Sequence, residues 1–474
     1  MEKKSAPELN QKMYGISSTY FLIDLHNDRE LFYALTYDEI VSTESWLCFS
    51  GIALNRIMDG DLKEAWNVIN SIPEGNSENT IILKFLKIGL TVVHPEITFR
   101  QFVDQLNTLK NLSQPLITVM LTAGRPFLLN GFNDFSRIGV LLPKHREQFL
   151  GYIKYMYDES LCPHIYNLCL AEYYYQINRL VDAEMLVGTS LKKFNVQGEQ
   201  RITFAALYLQ AKILLANGKT VKSESFVQDI RKLTGETGRV EFSYNIDAME
   251  VLFFLYEGKM GQVSEWLKKG APDEFADFNM LDLYRYMIKM RCYIATRKYA
   301  AVIALVERLR PLVIAGRRHM DLCELDLLLA MSLYSAKKEN EAFEALDRAL
   351  KIARRHDYLR LVADEAEPML RLLIPYIKQR EETPFLMKLV EMTRDMAIHH
   401  PLYMKIPLEE GESFTQMELD VLTLMEHGKS KEEIAEYFFI SVNTVKYHIK
   451  NIYAKLGAKS ANQAVWNAKV LGVI

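Results

Sequence analysis

The sequence predicts an all-α protein: an α-solenoid of helical repeats that ends in a small four-helix domain. Three observations carry this reading. From about residue 28 to 395, Pro and Gly are sparse and apolar residues recur three and four apart, with little of the alternation that marks strands. A polar turn signature returns at a nearly constant interval through the same stretch. Beyond about residue 413, helix-capping motifs mark four short helices.

The repeat is read from the turns. "NRLVDA" begins at Asn178, "GKTVKS" at Gly218, "GKMGQV" at Gly258, "RKYAAV" at Arg297 and "KKENEA" at Lys337, so successive starts lie 40, 40, 39 and 40 residues apart. "GDLKEA" at Gly60 is an earlier member, 118 residues before Asn178 and close to three such periods. A period near 40 with two helices per unit is the mark of an α-solenoid, because one unit cannot bury its own apolar face and must stack on its neighbours. The small residue after each turn lets the second helix lie close to the first. The stretch "TAGRPFLLNGFNDFSRIG" at 122–139 interrupts the pattern and is expected to be a loop or irregular unit.

From Asp395, "DMAIHHPLYMKIPLEEGES" carries two prolines and a glycine and no helical period. The expected division is therefore a repeat body over 1–395, a linker over 396–412 and a terminal domain over 413–474. At 474 residues the chain is too long for one ordinary core, which agrees with this division.

The net charge of −3 gives the whole chain no attraction to nucleic acid or membranes, so any such attraction must be local. Cys48, Cys162, Cys169, Cys292 and Cys323 are odd in number and scattered, which fits buried thiols in a reducing compartment better than a disulfide framework. Cys162 and Cys169 with His164 between them match no common metal spacing. The opening "MEKKSAPELNQKMYG" lacks the apolar core of a signal peptide, and apolar runs such as "LDLLLAMSL" at 325–333 fall short of a membrane span. A cytoplasmic protein is expected.

No catalytic constellation is found, and neither an enzyme nor a bound cofactor is expected. "GKT" at 218–220 and "GKS" at 428–430 resemble the tail of a phosphate-binding loop, but the required earlier Gly is Ile213 in one and Thr423 in the other.

The terminal domain is well punctuated. Thr415 with Glu418, Ser430 with Glu433 and Ser460 with Gln463 have the spacing of capping boxes, and Ser441 can cap a further helix. Gly428, Gly457 and Gly472 fall where helices should stop. The predicted helices span about 416–427, 431–438, 442–456 and 461–470. The second and third, separated only around Ile440 and Ser441, have helix-turn-helix spacing. On the third, Val445, Ile449, Ile452 and Leu456 form an inward stripe, and Asn443, Lys446, Tyr447 and Lys450 form the opposite face. Residues 411–440 hold two Lys and seven acids, whereas 441–474 hold five Lys and no acid. Such a one-sided surface suits phosphate neutralisation.

The stretch "FTQMELDVLTLMEHGKSKEEIAEYFFISVNTVKYHIKNIYAKLGAKSANQAV…LGVI" resembles the LuxR-type helix-turn-helix over nearly the whole terminal domain. The resemblance implies that Lys446, Tyr447 and Lys450 approach base edges and that Thr444, Asn451 and Lys455 help hold the phosphate backbone. It also implies that Ala464, Val465 and Ala468 on the last helix form a dimer face. Met417, Ala461 and Glu432 depart from residues that are usually Arg, Arg and basic, which implies reduced phosphate or salt-bridge support. In the body, "ENEAFEALDRALKIARRHDYLRLVADEAEPMLRLL" at 339–373 resembles the tetratricopeptide-like superhelix of regulators of the maltose-regulon-activator class. In that class the superhelix senses an inducer, and an ATPase domain drives assembly; no part of this sequence resembles that ATPase.

The expected function is that of a sequence-specific transcription regulator, bound as a homodimer to double-stranded promoter DNA in a bacterial cytoplasm and nucleoid. Its repeat body would sense a small molecule, peptide or protein. The alternative is a protein-binding solenoid adaptor with a weak or vestigial DNA-binding tail. Tyr173, Tyr174 and Tyr175 cannot share one helical face, so at least one of them is expected in the core.

Overall fold

A computed structural model describes residues 4–13, 25, 28–72, 141–154, 158–197, 200–219, 229–232, 243–276, 278, 282–315, 318–380, 383–404, 414–456, 458, 460–470 and 474. The described residues form helices and turns, with no strand among them. The irregular unit expected at 122–139 lies outside them.

The N-terminal part holds α1 (Ala6–Met13), α2 (Arg29–Tyr33), α3 (Tyr37–Ser42), α4 (Leu47–Met58) and α5 (Leu62–Ser71). After α6 (Arg146–Ile153), the main array runs through α7 (Cys162–Gln176), α8 (Leu180–Gln197), α9 (Gln200–Ala216), α10 (Ser243–Glu257) and α11 (Met260–Lys269). It continues with α12 (Leu283–Ala295), α13 (Tyr299–Ala315), α14 (His319–Ser335) and α15 (Glu339–His356). A short α16 (Leu359–Ala363) leads to α17 (Ala366–Lys378) and α18 (Pro384–His399). Sequential helices pack on one another, α7 on α8, α14 on α15 and α17 on α18, as an array of antiparallel pairs requires.

The turn signature has one structural cause. In all six copies the first residue is left-handed: Gly60 (φ 80°), Asn178 (62°), Gly218 (68°), Gly258 (69°), Arg297 (60°) and Lys337 (64°). The next residue's N–H then reaches back five positions, as Arg179 to the Tyr174 carbonyl at 2.7 Å, Lys259 to Phe254 at 2.9 Å and Lys338 to Leu333 at 2.9 Å. This is the Schellman closure, which satisfies orphan carbonyls and reverses the chain tightly. Three of the six positions are not Gly, and each of those carries the steric cost of a Cβ in this region. The small residues that follow, Ala65, Ala183, Val263, Val302 and Ala342, are wholly buried where the second helix crosses the first.

The array is also stitched by charge. Arg310 on α13 and Arg348 on α15 both bond Asp326, buried on α14 between them, at 2.6 and 3.0 Å. All five cysteines are buried free thiols. Burial pushes the Cys48 thiol up to about 12, so it holds its proton at physiological pH. Of the three adjacent tyrosines, Tyr175 is buried, while Tyr173 and Tyr174 pack partly exposed against the core.

The body does not stop where the sequence pattern fades. α18 continues to His399, and Tyr403 and Met404 are buried in the body's core. The body therefore extends to Met404, past the boundary expected at 395. Pro401 ends the helix, and tertiary contacts then hold the chain that local pattern read as linker.

Candidate nucleic-acid interface

The terminal domain comprises α19 (Gln416–Glu426), α20 (Lys431–Phe438), α21 (Val442–Leu456) and α22 (Ala461–Val470). Its starts are set by side chains. Thr415 with Glu418 and Ser430 with Glu433 form complete capping boxes. Ser441 Oγ accepts the Thr444 N–H at 3.1 Å, and Ser460 Oγ accepts the Gln463 N–H at 3.2 Å. The amide of Ser430 and the ammonium of Lys429 both stabilise the Glu433 carboxylate, whose pKa falls to about 2. Gly428 takes a left-handed turn after α19, as a helix stop requires. Gly457 and Gly472 lie outside the described residues.

The tripod core is small and apolar: Val421, Leu422 and Met425 from α19, Ile434 and Ala435 from α20, and Val445, Ile449, Ile452 and Leu456 from α21. Ala464 and Ala468 of α22 complete it. Between α20 and α21 the chain turns on Phe439, left-handed at φ 56° with 95% of its surface exposed. The Ile440 N–H then closes on the Ala435 carbonyl at 3.0 Å. That tight turn sets α21 across α20 and leaves one of its faces outside the tripod.

On that outer face Asn443, Lys446, Tyr447 and Lys450 are exposed, and Tyr447 presents 63% of its surface. Thr444 and Asn451, at the edges, are half-buried. The structure thus brings six of the seven sequence-predicted contact residues to one side of one helix. Lys455 is placed differently. Its ammonium lies 2.6 Å from Glu418 Oε2 and 5.5 Å from the centre of the Phe414 ring. Burial would raise the Glu418 pKa, but the Lys455 ammonium and the Thr415 amide outweigh it and hold the carboxyl below its usual range. Lys455 therefore ties α21 to the start of α19.

The expected dimer residues divide. Ala464 and Ala468 are fully buried in the domain's own core, while Val465 is half-buried. Trp466 on the same helix reaches the body, with Arg394 of α18 lying 5.8 Å from its ring. The sequence reading did not single out Tyr437, which stands exposed on α20 near Phe439. Its isolation on a polar helix was the available signal.

Comparison with known proteins matches this arrangement part by part. Residues 144–379 match the family described as MalT-like TPR region, and residues 412–468 match the family described as bacterial regulatory proteins, luxR family. The terminal domain is a luxR-family module. The body before it is a MalT-like tetratricopeptide-repeat region. The HTH-type transcriptional regulator MalT of Klebsiella pneumoniae is 27% identical over 316 residues, which is 62% of this chain and 34% of that protein. The protein of the same description from Cronobacter sakazakii is 25% identical over 316 residues, with the same shares. The chain thus spans about a third of the length of these relatives. None of the described helices is long and apolar enough to cross a membrane.

Proposed function

We propose that this protein is a transcription regulator in which the helical-repeat body senses a small molecule, peptide or protein and controls a DNA-binding tail. The tail lays α21 in the major groove of double-stranded promoter DNA, as the second helix of a helix-turn-helix does. Lys446, Tyr447 and Lys450 reach base edges, and Asn443, Thr444 and Asn451 fix the helix on the backbone. Lys455 acts mainly by holding α21 against α19. The protein works in the cytoplasm and at the nucleoid, and no catalytic role is proposed.

One observation carries the reading. A helix whose inner stripe is buried exposes a row of Asn, Lys, Tyr and Lys, in a stretch from 441 to 474 that holds no acid. A merely solvated helix has no need to exclude acids from its whole surroundings, whereas phosphate binding does. On DNA we propose a homodimer. With Ala464 and Ala468 inside the tripod, its contact would centre on Val465 and the exposed side of α22.

The test is binding of purified full-length protein to the region upstream of its own gene and to random duplex, at several salt concentrations. Lys446→Ala and Lys450→Ala are measured beside the wild type. A lost base contact lowers discrimination by about 1–3 kcal/mol, and a lost phosphate contact reduces the log–log salt slope by about 0.9. Variants that bind both duplexes as the wild type does would sink the reading.

A further inference from the structure

The inner face of the repeat body holds a polar cavity of about 70 Å³, lined by the first helices of successive pairs. That volume corresponds to roughly five water-sized positions, enough for a small charged group. Four carboxylates line it, Glu172, Glu324, Asp364 and Glu365, against two cations, Lys212 and Arg291. The cations are committed within the wall. Lys212 Nζ lies 2.7 Å from Asp364, and Arg291 lies 2.7 Å from Glu324 while also bonding Glu365. Arg360 backs Asp364 from behind. Even with Arg360 counted, carboxylates exceed cations by one. Gln176 adds a buried acceptor, its side-chain oxygen accepting no hydrogen bond from the described residues. Tyrosine rings complete the wall. A buried surplus of negative charge with a spare acceptor and aromatic faces suits one kind of guest, a protonated amine.

The same cavity holds the chain that leads to the DNA-binding domain. Tyr403 forms part of its lining, donates to Glu365 Oε2 at 2.9 Å and stacks on Tyr256 with ring centres 4.2 Å apart. On either side of it, His400 Nε2 lies 2.8 Å from the Leu215 carbonyl, and Leu402 covers Gly258. His399 covers Gly218 so closely that a Cβ there would come within 2.5 Å of the ring. The segment His399–Met404 is thus seated on the turns of two repeat units.

We propose that this cavity is a binding site for a small molecule carrying a protonated amine, and that its occupancy releases Tyr403 and the segment leading to the DNA-binding domain. An ammonium seated between Glu324 and Glu365 takes the Glu365 oxygen that Tyr403 now bonds, so ligand and Tyr403 compete. The second half of this proposal rests on the regulator reading above, and the first half does not.

The test uses the full chain and calorimetric titration with 1,4-diaminobutane, L-lysine, glutarate and glucose, followed by hydrogen exchange of residues 399–404 with and without the tightest binder. The amines should bind, and glutarate and glucose should not. Glu324→Gln and, separately, Glu172→Gln should weaken amine binding about tenfold or more, with circular dichroism confirming that each variant is folded. Tyr403→Phe should tighten it several-fold, since the competing hydroxyl is gone. Exchange of 399–404 should quicken on binding. Tighter binding of glutarate or glucose overturns the ligand class. Absence of amine binding to folded wild type, or binding unchanged in both acid variants, overturns the site. Binding without faster exchange overturns the release. DNA binding is scored separately: amine binding by a chain that never binds its promoter defeats the regulator reading and leaves the site standing.

Discussion

Replacing Lys455 separates two roles that its position in the sequence suggests equally. If it chiefly bonds DNA phosphate, Lys455→Ala leaves the fold intact and flattens the salt dependence of binding. The structure gives the opposite emphasis. Glu418 is almost fully buried and Lys455 is 17% exposed at the side chain, and the pair is 2.6 Å apart. Removing one partner of a fully buried pair costs about 3–5 kcal/mol. Partial exposure of Lys455 and the surviving Thr415 bonds to Glu418 bring the expected loss to about 2 kcal/mol, roughly a thirtyfold change in an opening equilibrium. Hydrogen exchange of the full chain reads this locally. Peptides from α19 and α21 should exchange about thirtyfold faster in Lys455→Ala, while the α14 and α15 peptides keep the wild-type rate. Glu418→Gln with Lys455→Ala should lose less than the two single losses combined, because the neutral amide strands no charge. Unchanged exchange in α19 and α21, together with a flatter salt slope, would refute this account.

Acid should act on the same pair. The Glu418 carboxyl is held below 4.5, its ordinary value, so its contribution is complete above about pH 4.5 and fades as pH falls through the lower folded value. Exchange protection of α19 should therefore decline below pH 4.5 in the wild type and decline less in Glu418→Gln. At the turn between α20 and α21, Phe439→Gly should stabilise the domain by about 0.5–1 kcal/mol, since it removes a left-handed Cβ and a side chain that packs on almost nothing. A loss of stability there would mean that Phe439 has a partner. In the body, Ala342→Leu should destabilise by about 1–3 kcal/mol by forcing α15 off α14, read as a lower denaturation midpoint. Lys337→Gly, five residues earlier, should raise that midpoint.

Local chemistry made much of this legible. The repeat could be counted because a Schellman turn needs polar residues at the reversal and a small residue where the helices cross, and both leave marks in the sequence. The left-handed residue left a weaker mark, because Asn178, Arg297 and Lys337 stand where Gly would be the simplest choice. Caps at Thr415, Ser430, Ser441 and Ser460 placed the terminal helices to within a residue or two, since a cap acts within three positions. Contacts between distant residues stayed hidden. Lys455 read as a free cation because its partner is 37 residues away. Leu402, Tyr403 and Met404 read as linker because what holds them is spread over repeat units far upstream. Ala464 and Ala468 read as surface because small residues suit either a dimer face or a tight core.

The seating of His400 against Leu215 joins residues 185 positions apart in the chain. During synthesis at about 5–20 residues per second, Leu215 leaves the ribosome roughly 10–40 s before its partner exists. The inner groove must wait for that interval with its polar wall open to water and to any solute present. The segment that fills it arrives only just ahead of the DNA-binding domain. A nascent chain therefore meets its cellular small molecules before it can meet DNA, and the first occupant of the groove is set by the order in which the polypeptide is made.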